Sequence, residues 1–206
     1  GTSVLKRVLG RHPEIDGYYE MHQGYASATD LDRQARRYAE QDRFKPGSRY
    51  LFDKLLHNDY ALQLEQFDPG RTVVLMALRP PEPTLKSIVH LFERKPGNDP
   101  YADPAGATDY YVERLRALAA FARRYPQRFH YFDAALVCRD APRLLAPLGA
   151  WLQVRSPLAD RYQSFARTGS AGTGDSSPAI ASGRILREER VYPDVVLDAE
   201  PLQRAQ

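Results

Sequence analysis

Apolar and polar positions alternate along the chain in blocks that change period. Val4, Leu5, Val8 and Leu9 recur at helical spacing, and the pattern ends near Gly10, before His12-Pro13 turns the chain. Residues 16–27, rich in Gly and Tyr, read as loop. A polar helix follows to about Arg43, with Thr29 or Asp30 as its cap. The pattern next predicts a short strand over 49–53 and a helix over 56–67, closed by Asp68-Pro69-Gly70. The run Thr72 to Leu78 is the clearest strand; its unbroken apolarity predicts burial on both faces, as in a central parallel strand. Helices are predicted over 82–93, 108–125 and 141–152, with a short strand over 129–132. Strands alternating with helices predict an α/β fold, a three-layer parallel sheet with flanking helices.

Composition narrows the function classes. The chain has 206 residues, 43% of them apolar, enough for one folded domain with a sizeable core. One cysteine, Cys138, excludes a disulfide framework within the chain and any Cys-rich metal site. Five scattered histidines lack metal-ligand spacing, so no metal is expected. A net charge of +3 suits one anionic small ligand better than a nucleic-acid footprint. No apolar run is long enough to span a membrane.

Three segments carry the candidate chemistry. Gly1-Thr2-Ser3 opens the first helix, where free backbone N–H groups and two hydroxyls make a seat for phosphate. Arg79 stands at the end of the clearest strand, with Ser87 eight residues later on the next helix. A cation at the carboxyl end of a strand faces the ligand crevice of an α/β sheet. Asp53-Lys54 closes the second predicted strand, with His57 and Asn58 close behind.

In this order and spacing the segments resemble the sulfotransferases that use 3′-phosphoadenosine 5′-phosphosulfate (PAPS). The likeness covers about residues 1–95: Gly1-Thr2-Ser3, an apolar helix and His12-Pro13-Glu14, then Arg79 and Ser87. The stretch Tyr131 to Val137 resembles a later strand of the family only loosely, as do 174–177 and 182–185 its carboxyl-terminal loop. The resemblance implies a fold related to P-loop nucleotide kinases. Gly1, Thr2 and Ser3 would bind the 5′-phosphosulfate, and Arg79 with Ser87, joined by Arg184, the 3′-phosphate. The family carries Arg or Lys two residues before this glycine, preceded by a buried strand. The resemblance therefore implies a single domain over 1–206 whose first strand lies upstream of Gly1.

Sulfuryl transfer asks for alignment, charge neutralisation and a base for the acceptor. Glu20 lies eight residues after His12, the spacing of the family's glutamate-base members, including the tyrosylprotein enzymes. Tyr18, Tyr19 and Tyr25 around it are expected to raise its pKa by desolvation. His57 and then His22 are rival bases. Lys54 resembles the lysine that holds the donor's bridging oxygen; a salt bridge with Asp53 is the alternative. His12, His90 and His130 are expected to be structural, and Arg33, Arg36 and Arg37 to form a solvated face.

The expectation is thus a PAPS-dependent sulfotransferase acting on a small-molecule or polymer acceptor through a hydroxyl or amine, with no nucleic acid and a cytoplasmic location. The alternatives are a nucleotide-kinase-like phosphotransferase, disfavoured because no Gly-Lys-Ser/Thr stands at the loop, and a non-catalytic nucleotide-binding module. The acceptor is not legible.

Overall fold

The computed structural model describes residues 2–17, 20–56, 58–162, 183–185 and 191–206. It is a mixed α/β chain with small sheets. It divides into two compact units, Gly1–Ala77 with His130–Glu188, and Leu78–Phe129 with Glu189–Gln206.

In the first unit, helix α1 (Thr2–Arg11) leads into strand β1 (Ile15–Asp16). Leu5, Val8 and Leu9 are buried as their spacing predicts, but Lys6 and Arg7 are buried too, so both faces of this helix are covered. The N-cap of helix α2 (Ala28–Gln41) is Ser27, two residues before the first of its predicted caps. Oδ2 of Asp30 accepts from the backbone N–H groups of Ala26 and Ser27 and from the Ser27 hydroxyl. Strand β2 (Tyr50–Leu51) pairs in parallel with β1, Ile15 opposite Tyr50 and Asp16 opposite Leu51.

The helix expected over 56–67 does not form. Its place is taken by an irregular segment with one 3-10 turn, Leu64–Gln66. The competing partner is Tyr25, which forms a parallel bridge with Leu62. Its N–H donates to the Ala61 carbonyl and its carbonyl accepts from the Gln63 N–H, both at 2.8 Å. Tertiary pairing overrides the helical spacing of the leucines.

Strand β3 (Leu75–Leu78) is shorter than its apolar run and only Met76 is buried, so burial on both faces is not observed. Among the described residues its sheet partner is β4 (His130–Asp133). The chain leaves the strand conformation after Asp133, where Asp133 Oδ1 accepts the Ala135 N–H, and turns into the short helix α5 (Leu136–Arg139). The stretch 131–137 is therefore strand only in its first half. Helix α6 (Ala141–Trp151) is capped by Asp140 and supplies Leu144, Leu145 and Leu148 to a core shared with Leu5, Val8, Leu9, Ile15, Phe132 and Val137. Trp151 stacks on His130, their rings 4.7 Å apart.

The second unit is helical. Helix α3 (Pro81–Phe92), helix α4 (Pro104–Arg124) and helix α7 (Ala199–Ala205) pack on one another. Leu85, Val89, Ala107, Tyr111, Tyr192 and Val195 form their core, and His90 packs its ring on Tyr192. No described helix is long and apolar enough to cross a membrane.

Candidate anion and base site

The parallel pairing of β1 and β2 sends two loops from the carboxyl ends of adjacent strands, the edge at which α/β sheets hold ligands. Glu20 lies on the loop after β1 and Lys54 on the segment after β2. Gly17 permits the close start of these loops. Its φ is +89°, and a Cβ there would meet the Phe52 carbonyl oxygen at 2.1 Å.

Glu20 and Lys54 meet. The Lys54 ammonium stands 2.8 Å from Oε1 of Glu20, and the Lys6 ammonium, from α1, stands 3.0 Å from the same oxygen. The three side chains are nearly closed to solvent: 5% exposed for Glu20, 2% for Lys6 and 13% for Lys54. Two cations therefore share one carboxylate oxygen in a desolvated place, where charges act on one another more strongly than in water.

The titration behaviour follows from this packing. Burial pushes the Glu20 carboxyl up, but Lys54 and then Lys6 outweigh it and hold the group below the ordinary carboxylate range. The expectation of a raised Glu20 is corrected: desolvation is present, and two neighbouring ammonium groups defeat it. Lys6 is shifted down, by burial first and by Lys54, against the pull of Glu20.

Lys54 does not pair with the side chain of Asp53. The Asp53 carboxylate accepts the backbone N–H of Lys54 at 2.7 Å and that of Met21 at 3.1 Å, and the Tyr25 hydroxyl at 2.5 Å. Burial raises the Asp53 carboxyl against these three donors, and burial with Asp53 raises the Tyr25 phenol.

Ser3 is half-buried on the first turn of α1, and Thr2 is the first residue of that helix. Gly1 and His57 lie outside the described residues, as do Tyr18, Tyr19, 174–177 and Ser182. His22 is exposed with φ at +50° and sets its ring edge-on to Tyr60. Arg184 is exposed, its backbone bridged to Arg161.

In the second unit, Arg79 follows β3. Its carbonyl accepts the Tyr111 hydroxyl at 2.9 Å. Ser87 on α3 shares a 3.0 Å hydrogen bond with the Tyr192 hydroxyl.

The other singled-out residues take structural roles. His12 bonds the Ser156 hydroxyl and carbonyl through Nε2, and its Nδ1 accepts the Glu14 N–H. Arg33 pairs with Asp30, while Arg37 donates to the Met21 carbonyl rather than only facing water. No group of three or more His, Cys, Asp or Glu arranged for a metal occurs among the described residues.

Lys6 is the residue that sequence reasoning missed. It lies off the apolar stripe Val4-Leu5-Val8-Leu9, on a face that the spacing alone leaves to solvent and that the fold covers.

No family model, no curated protein and no solved structure matches the chain.

Proposed function

We propose that this chain is a sulfotransferase that moves the sulfuryl group from PAPS to a hydroxyl or amine acceptor and releases adenosine 3′,5′-bisphosphate. The observation that carries the reading is the pair of lysines on one oxygen of Glu20. A desolvated place where two ammonium groups share one carboxylate oxygen suits a polyanionic donor, and in this reading Glu20 acts on the acceptor.

In the chemical step the acceptor oxygen or nitrogen attacks sulfur, and the bond from sulfur to the 5′-phosphate oxygen breaks. Glu20 takes the acceptor's proton, and Lys54 neutralises the charge that develops on the leaving oxygen. Lys6 shares Glu20 with Lys54, so the carboxylate keeps one cationic partner when Lys54 turns to the donor. The resemblance supports Gly1, Thr2 and Ser3 for the 5′-phosphosulfate, and Arg79, Ser87 and Arg184 for the 3′-phosphate. His57 is the alternative base.

The reading includes a three-layer parallel sheet of the P-loop nucleotide-kinase kind, supported by the parallel pairing of β1 and β2 and by the position of Glu20 and Lys54 beyond their carboxyl ends. It also includes a small-molecule or polymer acceptor, a cytoplasmic setting and no nucleic-acid partner.

One observation favours a second reading, a binding module without turnover. A carboxylate held below its ordinary range is a weak base until one of its lysines leaves it. Incubation with PAPS and a panel of phenols, amines and sugars, followed by chromatography of the nucleotide, separates the two. Release of adenosine 3′,5′-bisphosphate dependent on an acceptor supports the transferase. Saturable binding without release supports the module.

A further inference from the structure

Asp53 has the geometry of a fastener between the two segments that meet at the ion pair. Its Oδ1 accepts the N–H of Lys54 at 2.7 Å and the N–H of Met21 at 3.1 Å, and Met21 follows Glu20 directly. One carboxylate oxygen therefore holds the main chain at Lys54 and the main chain beside Glu20. Oδ2 accepts the Tyr25 hydroxyl at 2.5 Å, which ties the far end of the same loop. The Lys54 ammonium goes to Glu20, while Asp53 takes two main-chain donors and the Tyr25 hydroxyl.

We propose that Asp53 is the positioning residue of this site: it sets the separation at which Glu20 and Lys54 meet, and touches neither donor nor acceptor. Its kinetic consequence rests on the transferase reading, whereas its structural consequence does not. A displacement of about 1 Å in such a pair costs about 10²-fold in rate. The second tie between the loops, the bridge of Tyr25 to Leu62, lies farther from the ion pair in sequence, and the Arg37 guanidinium holds the Met21 carbonyl from α2, not from the segment that carries Lys54.

The test uses the full chain and the variants Asp53→Ala and Asp53→Asn. Asn keeps an oxygen able to accept both N–H groups, and Ala keeps none. The first arm needs no donor: lysines are labelled briefly with acetic anhydride and read by peptide mass spectrometry. In Asp53→Ala, Lys54 is expected to label about fivefold faster, as an ion pair opened to water allows. Lys45, anchored elsewhere, keeps its wild-type rate, and Asn restores Lys54 to near wild type. In the second arm, with PAPS as donor, Asp53→Ala lowers kcat by about 10²-fold, KM for PAPS changes little, and Asn recovers most of the loss.

A folded Asp53→Ala protein whose Lys54 labels at the wild-type rate overturns the proposal, as does Asn behaving like Ala in that arm. If Asp53→Ala does not fold, amide exchange in the wild type decides. Met21 and Lys54 amides protected together support the fastening, and free exchange of either overturns it. A wild type that consumes no PAPS contradicts the transferase reading, while the labelling arm still decides the role of Asp53.

Discussion

Lys6 and Glu20 form an ion pair at 3.0 Å with both side chains almost wholly out of solvent, although the lysine lies on α1 and the glutamate on the loop after β1. The pair binds the candidate phosphate-binding helix to the candidate base. Burial, with Lys54 beside it, holds Lys6 below its ordinary range although Glu20 pulls the other way. Removing one partner of a buried ion pair is destabilising, and Glu20 keeps Lys54 when Lys6 is replaced, so the cost is partial. Lys6→Met is therefore expected to lower the melting temperature, by less than Glu20→Gln does, while weakening PAPS binding by about tenfold or more. Differential scanning calorimetry and nucleotide titration on the same sample check both halves.

Glu20→Gln acts in the same direction, more strongly. It removes the carboxylate oxygen that both ammonium groups share and is expected to cost up to about 3 kcal/mol at neutral pH. Acid scans separate this cost from a packing effect. The folded pKa of Glu20 lies below its unfolded value, so its stabilisation is full above the unfolded pKa, about 4.3, and is lost as pH falls through the folded one. Wild type should therefore lose more melting temperature on acidification than Glu20→Gln, and the two curves should converge. Parallel curves would remove the ion pair from the account.

Gly17 tests the strand ends that launch both loops. A Cβ at this position meets the Phe52 carbonyl, and the positive φ adds strain, so Gly17→Ala should cost at least about 2 kcal/mol. Because Gly17 lies only three residues before Glu20, turnover should fall as well, even at temperatures where the variant stays folded. Urea unfolding and PAPS turnover at low temperature measure the two effects.

Lys45 secures the exit of α1. Its ammonium donates to the carbonyls of Gly10 at 2.5 Å and His12 at 2.9 Å, to that of Ile15, and stands 3.5 Å from Asp16. Asp16 is fully buried and also accepts the Tyr38 hydroxyl. Lys45→Met would strand these acceptors and is expected to cost about 2 to 4 kcal/mol, read by chemical denaturation.

The sequence made α1, α3, α4, α6 and β4 legible because their spacing agrees with the packing that the structure shows, although α4 begins at Pro104, four residues before its predicted start. Residues 56–67 misled because the leucines fit a helix equally well, and the hydrogen bonds to Tyr25 that decide the matter come from a distant loop. The meeting of Glu20 with Lys54 was readable only as two separate candidates. Their shared edge depends on the parallel register of two-residue strands too short to leave a periodic signal. Lys6 and Asp53 were harder still: one works through burial and the other through its bonds to main-chain N–H groups, and neither property is written in residue type.

Calorimetric titration of the wild-type chain with adenosine 3′,5′-bisphosphate and, separately, with adenosine 5′-phosphate tests the central claim most directly. The account predicts that the bisphosphate binds at least about tenfold more tightly, since a 3′-phosphate seat supplies charge-assisted hydrogen bonds that the monophosphate cannot use. It also predicts that Arg79→Ala removes most of that preference. Equal affinity for the two nucleotides, or binding of neither, would contradict it.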